Sequence, residues 1–312
     1  MALFPAPILT NGATHSAQQF RMLVRDLARG AEGITEGDDL KVTQRTTPGG
    51  GVVVGDGSGV IQGRVNAFQG HYAVCNIGSL DVPVAATGAS GRSDMLIIRV
   101  EDPEYEGSLN PATDQIVYPQ IISNVSSSAT TIPDGRTGIP LARIDIPANT
   151  STITNAMIKD IRKVANPRRD RTLYTQSPAS LSTLIGGTSG TYSYFSTAPG
   201  WNIAVPAWAT SVRIRVDIAG FRMSEGYVFG SLRATFGSSL TMQPVTIDDD
   251  QGTSTRRMTA LVADTLTIPA TYRGTTQLLR AQFAGGQYNT GKASVDSSSM
   301  FVADVEFFEA PR

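Results

Sequence analysis

The sequence predicts a mainly β protein that has a helical N-terminal arm, a β-rich first domain ending in a short helix, and a jelly-roll-like C-terminal β-sandwich. Only 17% of the 312 residues are charged, while 33 are threonine, 27 are serine and 31 are glycine. This mixture favours strands and turns over long helices. Short apolar runs separated by turn residues fill most of the chain. At about 100–200 residues per domain, the length predicts two domains.

The arm, residues 1–40, contains the strongest helical pattern. Ser16 and Gln19 have the spacing of a capping box, and Gly30 follows the last periodic residue, so we expect an amphipathic helix from 16 to 29. Its apolar stripe consists of Ala17, Phe20, Val24, Leu27 and Ala28. Because the arm alone cannot cover such a stripe, we expect Phe20, Val24 and Leu27 to make assembly contacts.

A second row on the same helix is basic. Arg21, Arg25 and Arg29 recur at intervals of four residues. A charged row of this kind indicates a solvated helix face more often than a contact with a partner, and we favour the solvated face.

The first domain is predicted to span residues 41–165. Residues 52–54 (VVV), the GDGSG segment and VIQGRV have the pattern of a hairpin, and residues 95–100 (MLIIRV) that of a central buried strand. Another strand is predicted at 139–146. After Thr154, a stripe at helical spacing predicts a short helix; it comprises Met157, Ile158, Ile161 and Val164.

Residues 166–182 are predicted to be a linker, because NPRRDR at 166–171 is a polar, proline-containing break between two regions of strands. Residues 183–312 form the predicted β-sandwich, a candidate receptor-binding domain. In the segment 211–218 (SVRIRVDI), apolar and polar residues alternate as in a strand with one buried face. Further short strands follow, with no helical pattern between them.

Few residues could support catalysis. The chain has two histidines and one cysteine. His71 and Cys75 would share one face of a strand, but a cysteine flanked by apolar residues is more typical of a buried hydrophobe. Asp248, Asp249 and Asp250 lack the spacing of a calcium loop, so we favour a turn there. We therefore predict no enzyme activity, no metal and no cofactor.

Aromatic residues of the second domain are the candidate glycan-binding residues, because a flat ring stacks on the apolar face of a sugar. The alternative is that they pack in the core or at its rim. The predicted set is Trp201, Trp208, Tyr227, Tyr272 and Tyr288, with Tyr192 and Tyr194 also in or beside predicted loops and strand ends.

The charge and hydropathy of the chain exclude other partners. A net charge of −1 provides no field that would attract nucleic acid. No apolar run approaches the roughly 18 residues that a membrane span needs, so membrane insertion is not expected.

Three segments of the first domain resemble a known family. They are VVVGDGSGVIQGR, RSDMLIIRVED and IPLARIDIPANTSTITNAMIKDIR. Their order is similar to that of the N-terminal attachment domain in minor tail, tail-fibre and upper baseplate proteins of siphophages. The similarity covers about residues 40–165. The matching positions are Arg92, Asp94, Pro140, Leu141, Ala142, Ile153, Thr154, Ile158, Asp160 and Arg162.

This resemblance implies a non-enzymatic structural component of a phage tail tip or baseplate, made in the host cytoplasm and located in the virion. It further implies a homotrimer with other tail-tip or baseplate proteins as partners. The N-terminal part would hold the tail, and the sandwich would bind host cell-wall polysaccharide. The alternatives are a tail collar or scaffold without receptor binding, a tail-associated depolymerase, and a cytoplasmic carbohydrate-binding module unconnected to virions.

Overall fold

The computed structural model describes Phe4 and residues 6–312 in two compact units. Of the predicted arm, Met1–Leu3 and Pro5 lie outside the described residues. Unit 1 comprises Met1–Pro167 and Ala310–Arg312, and unit 2 comprises Arg168–Glu309. Both units consist mainly of antiparallel sheets, which confirms the predicted fold class. Among the described helices, none has the length and apolar character needed to cross a membrane.

The predicted arm helix is present as α1 (Ala17–Leu27). Its N-terminus is closed by a capping box: the Ser16 hydroxyl accepts a hydrogen bond from the Gln19 amide, and the Gln19 side chain accepts one from the Ser16 amide. These two bonds satisfy donors that would otherwise have no partner in the first turn. Arg29 and Gly30, both with positive φ, follow the helix.

The arginine row of α1 does not form the solvated face that the sequence predicts, because Arg21 is buried. Its guanidinium lies 2.8 Å from the Glu104 carboxylate and 3.4 Å from that of Asp102. These acidic partners offset the cost of burying the charge. Most of the apolar stripe lies on the other side of the helix, with Phe20 48% and Leu27 71% exposed, whereas Ala28 at the end of the stripe is buried.

Unit 1 is built from short strands. They are β1 (Gly33–Ile34), β2 (Val42–Gln44), β3 (Gly51–Val54), β4 (Gly57–Gln62), β5 (His71–Asn76), β6 (Leu80–Pro83), β7 (Arg92–Val100), β8 (Val117–Val125), β9 (Gly138–Ile146) and β10 (Ile158–Asp160). The strands form three sheets, in the orders β1-β4-β5, β2-β3-β6 and β10-β9-β7-β8. Their apolar side chains form one buried core.

Two of the predicted strands in unit 1 are confirmed: residues 95–100 lie in β7 and residues 139–146 lie in β9. Strand β7 contains residues 95–100 and is central, since it pairs with β8 on one side and β9 on the other. The predicted hairpin at residues 52–65 is wrong: β3 pairs with β2 and β6, whereas β4 pairs with β1 and β5. Gly57, with a φ of +135°, lies where the chain passes from one sheet to the other.

The predicted short helix at the end of the first domain is also wrong. Asn155–Met157 form a single 3₁₀ turn, and Ile158–Asp160 form β10 at the edge of β9. Met157 and Ile158 pack partly buried against the core of unit 1. Because the unpaired edge of β9 offers backbone hydrogen bonds, the segment completes the sheet, which sequence periodicity could not show.

The predicted linker at 166–182 is wrong over most of its length. Arg169–Gln176 form β11, which pairs residue by residue with the last strand of unit 2. The charged side chains that suggested a linker point to solvent from an edge strand, where charge is common. The boundary between the units lies between Pro167 and Arg168.

Unit 2 is a sandwich of two antiparallel sheets around one apolar core. Its strands are β11 (Arg169–Gln176), β12 (Ser193–Tyr194), β13 (Trp201–Ala204), β14 (Ser211–Ser224), β15 (Val228–Phe236), β16 (Leu240–Thr241), β17 (Val245–Asp249), β18 (Arg256–Thr267), β19 (Thr276–Gly285), β20 (Lys292–Ser294) and β21 (Met300–Phe308).

The strand order of unit 2 is that of a jelly roll. One sheet has the order β11-β21-β14-β18, and β20 also pairs with β14. The other has the order β12-β19-β15-β16, with β13 beside β19 and β17 beside β15. Counting β12 with β13, β16 with β17 and β20 with β21 as interrupted strands gives eight strands in the sheet orders 1-8-3-6 and 2-7-4-5. This connectivity confirms the predicted jelly-roll-like sandwich.

Phenylalanines fill the centre of the sandwich. Phe195 and Phe221 contact each other edge to face with ring centroids 6.1 Å apart, and Phe283 lies 5.8 Å from Phe221. Strand β14 alternates as predicted between buried apolar and outward polar residues over 211–218. The side chains that point away from this core form the outer face of each sheet.

Candidate ligand-binding face

The outer face of the β12-β19-β15-β17 sheet is set by the alternation of β15. Val228, Leu232 and Phe236 point into the core, so Phe229 and Arg233 lie on the opposite, outer side. A strand with this strict period cannot turn Phe229 inward without also exposing the core residues beside it.

Strand register brings polar residues of β19 to the same outer side. Arg280 lies opposite Thr235, and Gln282 lies opposite Arg233. On the other edge of β19, Tyr194 of β12 pairs with Gln282, and its hydroxyl lies 3.1 Å from that of Thr235. Residues far apart in sequence therefore meet on one surface.

We call this surface the tyrosine–arginine face. It comprises Tyr192, Tyr194, Tyr227, Phe229, Arg233, Asp248, Arg280, Gln282 and Tyr288.

Two arginines of the face stack on tyrosine rings. The guanidinium carbon of Arg233 is 3.6 Å from the ring centroid of Tyr192, and that of Arg280 is 4.2 Å from the centroid of Tyr194. At these distances the cation interacts with the negative face of the ring. With its amide oriented to accept, Gln282 receives two hydrogen bonds from Arg233, at 2.8 and 3.1 Å. Each guanidinium is thus held in a defined position.

The other end of the face is an aromatic cluster. The rings of Tyr227 and Tyr288 lie 5.8 and 5.9 Å from that of Phe229. The Tyr227 hydroxyl donates a 2.9 Å hydrogen bond to Asp248. Partial burial and this bond raise the pKa of Tyr227, so it remains a neutral donor. Tyr288 is 63% exposed and offers its ring to solvent.

The face has the chemistry of a saccharide site. Exposed rings pack against the apolar C–H surface of a pyranose, while amide, carboxylate and guanidinium groups bond its hydroxyls. No described group of three or more His, Cys, Asp or Glu side chains could hold a metal ion. Asp248 and Asp249 are the last two residues of strand β17. Asp248 accepts a hydrogen bond from Tyr227, and Asp249 accepts one from Arg256. The predicted turn therefore begins only after Asp249.

The predicted glycan-binding residues divide into two groups. Tyr227 and Tyr288 lie together on the tyrosine–arginine face. Tyr272 does not, because its ring is buried and its hydroxyl accepts a 2.7 Å hydrogen bond from the Ser239 amide. Stacking of a glycan on Tyr272 is therefore excluded in this fold.

The two tryptophans lie outside the face. Trp201 is half-buried against the core and its indole donates to the Thr175 carbonyl at 3.3 Å. Trp208 is also half-buried, under the guanidinium of Arg168. Their surroundings fit the alternative of packing at the rim of the core.

Sequence reasoning missed four members of the face: Phe229, Arg233, Arg280 and Gln282. The alternation in VFGSLRATF places Phe229 and Arg233 on one side of a strand, and that signal was available. Their proximity to Arg280 and Gln282 depends on the pairing of β15 with β19, which no local pattern specifies.

In unit 1, the predicted assembly residues lie on the outer side of α1. Phe20 and Leu27 are exposed and Val24 is half-buried. The contact expected for this stripe is thus not made within the described part of unit 1.

His71 and Cys75 do not form a nucleophile pair. They stand four residues apart on β5, about 13 Å along an extended strand. His71 is buried, whereas Cys75 is exposed, contrary to the expected buried cysteine.

The motif residues of unit 1 form internal ion pairs. The Arg92 guanidinium donates to both oxygens of the fully buried Asp94, at 2.9 and 3.0 Å. Arg162 donates to both oxygens of Asp160, at 2.9 and 2.7 Å, and also to the carbonyl of Arg312. These residues hold strands and the C-terminal residues of unit 1 together.

Unit 1 also contains a cavity of about 420 Å³. Its lining includes Arg64, Arg136 and Lys163 around Ile132 and Ile139. Arg64 pairs with Glu32 and Arg136 with Asp134, so most of its positive charge is neutralised within the protein.

Comparison with known proteins gives little further information. No protein-family model and no curated protein matches the chain. A structure of infectious bursal disease virus, Gx strain, is 16% identical over 89% of this chain and 75% of that one, with a TM-score of 0.24. The VP2 subviral particle of the same virus is 16% identical over 94% and 82%, with a TM-score of 0.25.

A Bacillus thuringiensis Cry1Da tryptic core variant is 11% identical over 98% of this chain and 57% of that one, with a TM-score of 0.19. At TM-scores this low the similarities carry no argument about function. The jelly-roll assignment rests on the strand order of unit 2.

Proposed function

We propose that this chain is a non-enzymatic structural protein of a bacteriophage tail tip or baseplate, located in the virion. Unit 1 attaches it to other tail proteins, and unit 2 binds a glycan of the host surface. Support for the first part is the resemblance of residues 40–165 to siphophage attachment domains. Support for the second part is the tyrosine–arginine face.

The motif residues support a structural use of unit 1. Arg92, Asp94, Asp160 and Arg162 are engaged with one another and with backbone groups inside the unit. They preserve the shape of the unit and leave its surface for contacts with tail proteins. The exposed stripe of α1 is such a surface, and we assign it to contact between copies of the chain in a homotrimer.

The observation that carries the glycan proposal is the grouping of five aromatic rings on one outer sheet face. Groups of aromatic rings on an outer face are typical of surfaces that bind a ligand or partner. Polar groups at both ends of the patch provide the hydrogen bonds that an aromatic patch alone lacks.

An array of defined neutral and acidic oligosaccharides, probed with the full chain, tests the proposal. We expect binding that falls about fivefold in Tyr288→Ala, since stacking on an aromatic ring is worth about 1 kcal/mol. Phe68→Ala is the matched control, because Phe68 is an equally exposed ring in unit 1. If the chain binds no glycan on the array, the glycan-binding proposal is wrong and the alternative of a tail collar or scaffold is favoured.

The depolymerase alternative makes a different prediction. A depolymerase releases reducing ends from a wall polysaccharide, whereas an adhesin only retains it. We expect no release of reducing sugar from polysaccharide that the chain binds. If the chain releases reducing sugar and Tyr288→Ala abolishes that release, the depolymerase alternative is correct and the adhesin proposal is wrong.

A further inference from the structure

Unit 2 pairs most of its outward arginines with acids. On the other outer sheet face, Arg171 lies 2.5 Å from Asp304, Arg215 lies 2.9 Å from Asp217, and Arg213 pairs with Glu306. Such rows of alternating charge leave little net field at the surface. An arginine without an acid is therefore an exception in this unit.

The two arginines of the tyrosine–arginine face are exceptions of this kind. No carboxylate of the described residues lies within 4.0 Å of Arg233 or Arg280. In addition, the Nε of Arg280 is buried without a hydrogen-bond partner. The buried Nε shows that the fold itself does not compensate this cation; an external anion would contact the terminal nitrogens and offset the charge.

Both guanidiniums are restrained in position before any anion binds. Tyr192 and Tyr194 each cover one face of a guanidinium, which restrains the long arginine side chain before any ligand arrives. Arg280 lies opposite Thr235, two residues along β15 from Arg233. Diagonal neighbours of this type lie about 7–8 Å apart, so one anionic residue can contact both or successive residues can contact one each.

Charge is unevenly distributed along the face. The acidic group, Asp248, lies opposite Phe229 at the aromatic end, where Tyr227 already bonds it. The arginines occupy the other end. A ligand that carried no charge would gain nothing from this separation, whereas an anionic group is drawn to one end only.

We infer that the tyrosine–arginine face takes an anionic saccharide, whose carboxylate or phosphate group binds Arg233 and Arg280 while a sugar ring stacks on the aromatic cluster. The inference rests on the proposed glycan binding and names its substrate class. Charge-assisted bonds from a planar guanidinium suit both carboxylate and phosphate oxygens.

Matched probes test this inference with the full chain. They are a neutral hexose oligomer, a hexuronate oligomer of equal length and a polyol phosphate oligomer, measured by calorimetry at low and high salt. We expect at least one acidic probe to bind at least tenfold more tightly than the neutral one, with an affinity that falls as salt rises. The two acidic probes distinguish a carboxylate from a phosphate ligand.

Substitutions then locate the anion. Arg280→Gln and Arg233→Gln should each lower the affinity for the acidic probe about tenfold or more, and lower the affinity for the neutral probe by a clearly smaller factor. Arg280→Lys should restore only part of the affinity, because lysine lacks the planar fork. Arg215→Gln, on the other sheet, is the control for general attraction of polyanions and should have little effect.

The experiments distinguish failure of this inference from failure of the proposed glycan binding. If neutral and acidic probes bind equally and the arginine variants behave as the unchanged chain, this inference is wrong and glycan binding stands. If no saccharide binds at all, the proposed function also fails. Bases stack on aromatic rings too, so tighter binding of oligothymidylate than of any saccharide, lost in Arg280→Gln, would overturn the saccharide assignment.

Discussion

The guanidinium of Arg21 lies 3.4 Å from the carboxylate of Asp102, and both side chains are nearly excluded from solvent. Its Nε also donates to the Gln69 carbonyl at 2.8 Å. Helix α1 is therefore held on unit 1 by a buried polar contact, while its apolar stripe faces outward. An amphipathic helix in a globular protein ordinarily has the opposite orientation.

Replacement of Arg21 by methionine should loosen the helix. The variant removes the charge and leaves Asp102 buried without it, which costs about 3 kcal/mol. We expect amides of Ala17–Leu27 to exchange faster with solvent, while those of β7 keep their protection. Arg29→Met changes an exposed arginine just after the helix and should have no effect. Unchanged exchange in Arg21→Met would show that other contacts hold α1.

Tyr72 should make the stability of unit 1 fall at high pH. Burial raises the pKa of Tyr72 well above its usual value of 10.0, with its hydrogen bond to Asp102 acting in the same direction. The folded chain therefore keeps this proton where the unfolded chain loses it. The contribution to stability is complete below pH 10 and declines as the pH rises above it.

Urea unfolding of Tyr72→Phe between pH 8 and pH 11.5 measures this effect. At pH 8 the variant should lose about 1 kcal/mol with its hydrogen bonds. Above pH 10 its stability should fall less steeply than that of the unchanged chain. Tyr288→Phe, at an exposed ring, is the control. Parallel curves for Tyr72→Phe and the unchanged chain would contradict the prediction.

The stability of unit 1 should depend on an arginine at position 162, and lysine should not replace it. Its side chain is fully buried and donates at once to Asp160 and to the Arg312 carbonyl. Arg162→Lys keeps the charge but loses the planar fork, and we expect a loss of about 2 kcal/mol. Thermal unfolding measures it, with Arg169→Lys at an exposed position as control. Equal melting temperatures for Arg162→Lys and the unchanged chain would argue against this role.

The stripe on α1 should govern oligomeric state. We expect light scattering of the full chain to give the mass of three 33.1 kDa chains. The double variant Phe20→Ser, Leu27→Ser should give a lower mass while the chain stays folded by circular dichroism, because both side chains are exposed in the single chain. Val65→Ser with Phe68→Ser alters other exposed apolar residues of unit 1 and should remain trimeric. A monomeric unchanged chain would contradict the assignment.

Sequence patterns correctly predicted the helix and strand that are specified by residues close together in the chain. The capping box at Ser16 and Gln19 and the apolar alternation over 211–218 both depend on neighbours in sequence, and the structure contains the helix and the strand. The mainly β class followed from composition for the same reason. The sequence also singled out aromatic residues of the second domain, and four of them, Tyr192, Tyr194, Tyr227 and Tyr288, lie on the tyrosine–arginine face.

Tertiary structure decided everything that depends on a distant partner. Ile158–Asp160 form a strand because they pair with the edge of β9. Arg21 is buried because Asp102 and Glu104 pair with its guanidinium. Pairing of β15 with β19 brought Arg233 near Arg280, whereas Tyr272 became a core residue. Strand register and burial arise from contacts between residues tens of positions apart. The sequence by itself determined which segments can form strands, and only the fold decided which side chains share a surface.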